Sequence, residues 1–341
     1  MKATFKLAAL APAVLAFAAS SAWAQKTELL VYTALETDQL KAYSESFNKM
    51  TPDVELKFVR DSTGVIIAKL LAEKANPQAD VVLGVAASGM EIFKAEGMLA
   101  GYTPKGFEKL NATYSDTARP PTWVGQDVYA AAVCFNTVEA AKKGIPKPET
   151  WKDLTKPIYK GQITMPNPAS SGTGYFDVTA WLQLFGEADG WKYMDALHEN
   201  IAQYTHSGSK PCRQSGAGEF VIGISFEYRA NDVKKKGAPV DIVFPKEGLG
   251  YDIEGSGIMK STKKLAAAQK LMDWVASKEA NEAYAKNFAI VAYPGLNMKL
   301  EFVPADLEKL LIKNDFAFAA KNRDKILTEW NKRYAAKTEP K

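Results

Sequence analysis

The sequence predicts an α/β protein made of two doubly wound lobes, and three observations carry that expectation. Strand-like apolar runs alternate with segments of helical period from residue 28 to 97, and again from 162 to 244, which is the pattern of βα units. Between the two series lies one extended apolar run, 127–135, long enough to pass from one lobe into another. A second crossing is placed near 240–248, where a strand gives way to a turn and a new segment. Two lobes joined by two crossings leave a cleft that can hold a ligand and close on it.

Residues 1–24 stand apart from this pattern. Lys2 and Lys6 precede an apolar stretch from 7 to 19, and Ala22 and Ala24 flank Trp23 in the small-x-small arrangement of a signal-peptidase site. A cleavable secretory signal is therefore expected, with the mature chain starting near Gln25. The apolar stretch is shorter than the roughly 20 residues a membrane span needs. No cysteine follows it, so a lipid anchor is not expected.

Composition narrows the function classes. With 47% hydrophobic and 24% charged residues the chain is an ordinary globular protein. Its net charge of +4 falls to about +2 without residues 1–24, which gives no reason to expect nucleic acid or an anionic membrane as partner. Cys134 and Cys212 are the two cysteines; an even count in an oxidising compartment favours a disulfide, the other reading being two buried thiols. They cannot make a tetrahedral zinc site alone, and His198 and His206, the two histidines, stand at no ligand spacing. Neither metal nor cofactor is expected.

In order, 28–32 reads as a strand and 38–50 as a helix, so the turn between them sets Thr33 and Glu36 at the carboxyl edge of a sheet. A strand at 54–59 leads through the turn RDSTG (60–64), with Ser62 and Thr63, into a helix from 65 to 75. The strand 79–84, the small-residue loop 84–89 and a short helix 90–97 follow, then an irregular stretch to 127. Beyond the long strand, short helices at 136–148 and 151–154 lead to a strand at 162–165. The stretch MPNPASSGTGY (165–175) comes next: Pro166 and Pro168 stop the strand, and Ser170, Ser171, Gly172 and Thr173 precede a helix that runs to 185. A helix over 188–203 is expected, then a third polar loop at 207–218 carrying Lys210 and Arg213. A buried strand, 220–226, ends at Glu227 and Tyr228. The basic segment 232–237, a strand at 240–244, the segment 252–259, two helices in 262–286 and a final helix at 316–334 complete the chain.

Two of these turns bear on function. At a helix start the first backbone N–H groups have no partner within the helix, and the aligned peptide dipoles leave partial positive charge there. Either hydroxyl-bearing turn alone reads as a helix cap or as an anion site. The pair, more than a hundred residues apart and each following a strand, suggests two jaws on one anionic group. A catalytic reading lacks its parts: there is no G-x-S-x-G elbow and no H-E-x-x-H, and Ser170 or Ser171 with Glu227 would be a hydrolase site without an oriented imidazole. An enzyme is not expected.

Several stretches together carry a resemblance: the signal segment, LLVYTA (29–34), DSTGV (61–65), ADVVL (79–83), PETWKDL (148–154), the serine turn at 170–173 and GSGI (255–258). Over its whole mature length the chain resembles the periplasmic substrate-binding proteins of ABC transporters, in the group of ferric-ion, polyamine and phosphonate binders, and within it the 2-aminoethylphosphonate-binding component. The resemblance implies a type II periplasmic binding fold with a two-stranded hinge, residues 25–128 and 246–341 forming one lobe and 129–245 the other. It implies a monomer in the periplasm that captures a small solute and hands it to a membrane permease. Ferric members ligate iron with a tandem tyrosine pair at the strand end where this chain has Glu227 and Tyr228, so one phenolate is replaced by a carboxylate. For a zwitterionic phosphonate, Ser62, Thr63, Ser170, Ser171 and Thr173, with Gly172 and nearby backbone N–H groups, fall to the anionic head, and Thr33 joins the ligand-binding set. Glu36 or Glu227 falls to the ammonium, and Tyr228 to an oxygen contact or the ethylene. The alternatives are a ferric, oxyanion or polyamine carrier of the same fold and, more remotely, a secreted hydrolase.

Overall fold

In the computed structural model, residues 26–296 and 298–340 are described; the expected signal segment and its cleavage point before Gln25 lie outside the described residues. The chain opens with β1 (Thr27–Thr33), α1 (Thr37–Met50), β2 (Val54–Arg60), α2 (Thr63–Ala72), β3 (Val81–Ala86), α3 (Ala87–Ala95) and the short β4 (Leu99–Ala100). The long strand β5 (Val124–Asn136) follows. A second series comprises α4 (Thr137–Lys143), β6 (Ile163–Pro166), α5 (Gly172–Phe185), α6 (Glu187–Asn200), β7 (Ile201–Thr205), α7 (Lys210–Ala217), β8 (Ile222–Phe226), α8 (Glu227–Lys235) and β9 (Val240–Val243). The chain then returns through β10 (Tyr251–Met259), α9 (Leu265–Val275), α10 (Lys278–Tyr284), β11 (Ile290–Val291) and α11 (Phe316–Tyr334).

The strand order β2-β1-β3-β10-β5-β8-β6-β7 is that of two sheets sharing β5. β1 pairs parallel with both β2 and β3, as consecutive βα units require. The first half of β5 pairs antiparallel with β10 through Tyr251 to Ala130 and Ile253 to Val128. Its second half pairs antiparallel with β8, Ala131 to Phe226 through Phe135 to Ile222. All 13 residues of β5 are buried; at about 3.3 Å per residue the strand spans roughly 40 Å, enough to belong to both halves. The sheet of β1–β4, β10, β11 and the start of β5 defines a first lobe, and that of β6–β9 with the end of β5 a second.

Each lobe has its own aromatic centre. Tyr43 packs edge-on against Tyr284 at 5.0 Å in the first lobe. In the second, Trp151 meets Trp181 at 5.3 Å and Trp181 meets Tyr193 at 5.2 Å. The aromatics of 175–185 are thus core.

Four expected segments differ. The helix expected to run to 203 ends at Asn200, because Ile201 to Thr205 pairs with β6 as an added strand. The loop expected at 84–89 is the end of β3 and the first turn of α3. The polar loop at 207–218 contains a helix, α7, with Pro211 in its first turn, where the missing N–H costs nothing. The polar groups expected at the end of β8 are instead the first turn of α8. Cys134 of β5 and Cys212 of α7 are disulfide-bonded, their Cα atoms 5.3 Å apart, so α7 is fastened to the shared strand.

The last helix packs on α3 of the first lobe and, with the segment beyond it, also on the second. Arg333 of α11 pairs with Asp195 at 2.9 Å and Trp330 meets Tyr204 at 4.8 Å. Thr338 then forms a parallel bridge with Tyr204, and Asn167 donates to the Thr338 hydroxyl at 3.1 Å. Glu339 accepts from the His206 amide at 2.7 Å and pairs with Lys210.

Candidate functional site

A cavity of about 40 Å³ lies between the lobes, walled by Glu36, Arg60, Ser62, Thr63, Ser171 and Thr173 among others. Its construction is unusual in one respect: helices begin all around it. Glu36, Ser62 and Ala86, the capping residues of α1, α2 and α3, line it from the first lobe. Ser171 and Phe226, which precede α5 and α8, line it from the second, as does Gly208, one residue before the cap of α7. Six helix N-termini therefore face one small space. Each contributes roughly half a positive charge and amides that have no acceptor within their own helix.

The two hydroxyl turns touch. The Gly64 N–H donates to the Ser170 carbonyl across the cleft at 2.8 Å. A Cβ on Gly64 would stand 2.1 Å from the Ala169 carbonyl oxygen, and one on Gly208 would stand 2.4 Å from Thr173 Oγ1, so both approaches need a residue without a side chain. The lobes are shut in this arrangement. A space of about 40 Å³ holds only a few waters.

Glu36 is the hub of the polar contacts across the cleft. Its carboxylate accepts from the Ser209 hydroxyl at 2.5 Å and pairs with Arg229 at 3.2 Å, both from the second lobe. Arg213 and Arg60 each lie 3.6 Å from it. Arg229, 2% exposed, also pairs with Asp38 at 3.3 Å and Asp232 at 2.7 Å. Arg60 is the guanidinium that reaches the cavity wall, its Nε donating to the Leu35 carbonyl at 2.9 Å.

At another side of the cavity stand acids without such partners. Glu254 of β10 lines the space, and its Oε2 meets no donor. Asp127 and Glu227 are fully buried close to it. Glu227 Oε2 accepts the Ala130 N–H at 2.7 Å, while Oε1 and both Asp127 oxygens meet no donor. Burial pushes the Glu227 carboxyl up to about 8. Burial first, and then the neighbouring carboxyls, hold Asp127 and Glu254 well above the ordinary carboxylate range. Burial thus disfavours the charged form of each.

Of the residues expected from sequence, Glu36, Ser62, Thr63, Ser171, Gly172 and Thr173 line the cavity. Four do not. Thr33 is buried with its hydroxyl accepting the Leu35 N–H at 3.1 Å. Ser170 turns its carbonyl to Gly64 and its hydroxyl toward His206 Nδ1 at 3.3 Å. Glu227 is sealed beneath the wall. The Tyr228 ring packs on Phe288 at 5.3 Å, with the Arg229 guanidinium 5.0 Å from its centre, and burial raises its phenol pKa further. Arg60 of the turn RDSTG, Gly208 of the polar loop at 207–218 and Phe226 at the end of β8 also line the space, as do Tyr129 and Glu254, which carry no local signal. Among the described residues no group of three His, Cys, Asp or Glu side chains is placed to hold a metal ion.

Comparison with known proteins bears on the family and the fold. A sequence model of bacterial extracellular solute-binding proteins matches residues 76–324. An uncharacterized protein of Haemophilus influenzae is 32% identical over 312 residues, 89% of this chain and 90% of its own length. The solved periplasmic binding protein AfuA from Actinobacillus pleuropneumoniae, with exogenous fructose-6-phosphate bound, is similar with a TM-score of 0.83 and 32% identity, over 91% of this chain and 99% of that one. A putative 2-aminoethylphosphonate-binding periplasmic protein of Salmonella typhimurium is 24% identical, over 78% of this chain and 79% of its own.

Proposed function

The chain belongs to the bacterial extracellular solute-binding proteins, a family of carriers and not of enzymes, and on that premise we propose that it captures a small phosphorylated organic solute between its lobes for delivery to an ABC permease. The convergence of six helix N-termini on one cavity carries the reading. Such a site attracts an anion and supplies many donors at once. The hydroxyls of Ser62, Thr63, Ser171 and Thr173 and the Arg60 guanidinium suit the three oxygens of a phosphate or phosphonate head. Bonds of this kind contribute about 1.5–3 kcal/mol each, so four or five reach the roughly 8 kcal/mol of micromolar binding.

For the tail, the groups available favour hydroxyls. An ammonium needs an ionised carboxylate, and Glu36 is answered by three arginines while Glu254 is held toward its protonated form. A neutral acid exchanges hydrogen bonds with alcohol groups. A sugar phosphate, the class bound in the similar AfuA structure, meets both ends. The second reading, 2-aminoethylphosphonate, is favoured by Glu254 facing the cavity with no cation beside it and by the likeness to the Salmonella protein. Iron finds less support, since Tyr228 lies outside the cavity wall.

Titration calorimetry with fructose-6-phosphate, 2-aminoethylphosphonate, inorganic phosphate and ferric citrate tests the proposal. Micromolar or tighter heat with the sugar phosphate supports it; heat with ferric citrate and none of the phosphorus compounds defeats it.

A further inference from the structure

We propose that Tyr129 of the shared strand is a specificity-determining residue of the cavity, its hydroxyl donating to the solute's anionic head alongside the tips of α2 and α5. The inference rests on reading the cavity as a phosphate-ester site and assigns that site a donor that neither helix tip supplies.

Strand pairing places the residue. Tyr129 lies opposite Asp252 of β10, and two positions further on Ala131 lies opposite Phe226 of β8, so Tyr129 stands where the shared strand passes from one sheet to the other. Its ring packs edge-on against Phe226 at 6.0 Å and tilted against Phe176 of α5 at 5.3 Å. The residue is 6% exposed and lines the cavity. A side chain clamped on two sides has its oxygen set in advance, and only the O–H rotor is left to turn.

Gly172, the first residue of α5, shows where that oxygen lies. A Cβ on Gly172 would stand 2.9 Å from Tyr129 Oη and 2.8 Å from Thr63 Oγ1. One point at the α5 tip is thus flanked by a hydroxyl from the first lobe and a phenol from the shared strand, and all three residues line the cavity. An anion held by the first amides of α5 lies within reach of both.

The phenol is also uncommitted. Among the described residues its hydroxyl has no hydrogen-bond partner, while burial first, and then Asp252, Glu254, Asp127 and Glu227, hold its pKa well above the ordinary value. It is therefore a neutral O–H at any pH at which the protein would be used. A buried donor left unpaired costs free energy, and an oxyanion at the tip relieves that cost. A solute whose head has no acceptor at this point is penalised by the same amount, which is how a single buried hydroxyl comes to discriminate.

Calorimetry and phosphorus NMR with fructose-6-phosphate, on the wild type and on Tyr129→Phe, test the assignment. Phe keeps the ring against Phe176 and Phe226 and removes only the hydroxyl. The variant is expected to melt where the wild type does, to bind the ester about ten- to hundredfold more weakly, and to shift the phosphorus resonance of the bound ester. Gly172→Ala, which pushes both hydroxyls off the tip, should weaken binding by at least about threefold more in the wild type than in the Tyr129→Phe background, because there one of the displaced groups is already gone. Equal affinity of the Phe variant overturns the assignment, as does weaker binding with an unmoved phosphorus resonance and additive effects of the two changes. A ferric citrate complex whose visible absorption disappears in Tyr129→Phe overturns it too, since the phenol would then ligate metal. Failure of the wild type to bind fructose-6-phosphate, 2-aminoethylphosphonate or inorganic phosphate overturns the site reading itself, and the assignment with it.

Discussion

The two ends of the interlobe cavity are built on opposite principles. One end consists of backbone amides and hydroxyls at the tips of α2 and α5, assembled from short contiguous runs, 62–64 and 170–173. The other is marked by Glu254 of β10, with Asp127 of β5 and Glu227 of α8 buried behind it, acids that come from three separate stretches of the chain. The first holds charge with fixed dipoles that no change of pH removes. The second presents carboxyls whose charge burial disfavours and pH controls. Affinity should therefore reside in the tips and selectivity in the acids, and a set of variants can separate them.

The largest effect is expected at the tip contact. Gly64→Val places a side chain where the Ala169 carbonyl oxygen would be 2.1 Å from its Cβ, so the lobes cannot shut; affinity for a phosphate ester should drop roughly a thousandfold while the melting temperature changes little. Calorimetry and thermal unfolding on the same sample check both halves of that statement, and undiminished binding would break the comparison at its root. Next, Ser171→Ala with Thr173→Ala removes two hydroxyls from the anion end and should weaken every phosphorylated ligand by roughly a hundredfold or more, without altering their rank order. A changed rank order would mean that the tips select as well as hold.

Arg229→Met is expected to be milder. It strips Glu36, Asp38 and Asp232 of a shared, buried partner, and the cost to closure is about 2 kcal/mol, roughly thirtyfold in Kd. The smallest effect belongs to the acids and is read as stability. Glu227 is held at about 8 in the folded protein, above its unfolded value near 4.5. Its contribution is thus fully present below the unfolded value and is lost as pH rises toward 8, because across that window the folded state binds more protons. Glu227→Gln should flatten this decline and raise the melting temperature at pH 8 relative to wild type by about 2 °C. A steeper decline in the variant would reverse the sign assigned to the buried acids.

The same division explains what could be read in the chain beforehand. Ser62, Thr63, Ser171, Gly172 and Thr173 were legible because a helix start is announced by its own few residues. The long strand and the alternation of βα units were legible for the same reason. Glu254 was not, since its place follows from the pairing of β10 with β5, a contact between segments with no local signature. Glu227 and Tyr228 lie near the expected spot in the chain but open α8, whose first turn directs their side chains into the core. Ser170 contributes a carbonyl where a hydroxyl was expected. Residues 201–205 continue the apolar spacing of the preceding helix, and only the open edge of β6 turns them into a strand.

The segment after α11 has a practical consequence. Thr338 and Glu339 are tied to Tyr204, Asn167 and His206, and the Asn167 carbonyl in turn receives the Ser171 amide at 2.8 Å. A fluorophore attached near Thr338 would sit two bonded neighbours from the solute and would report its capture as a change in emission. A purification tag fused just beyond Glu339 would load the very residues that brace Ser171.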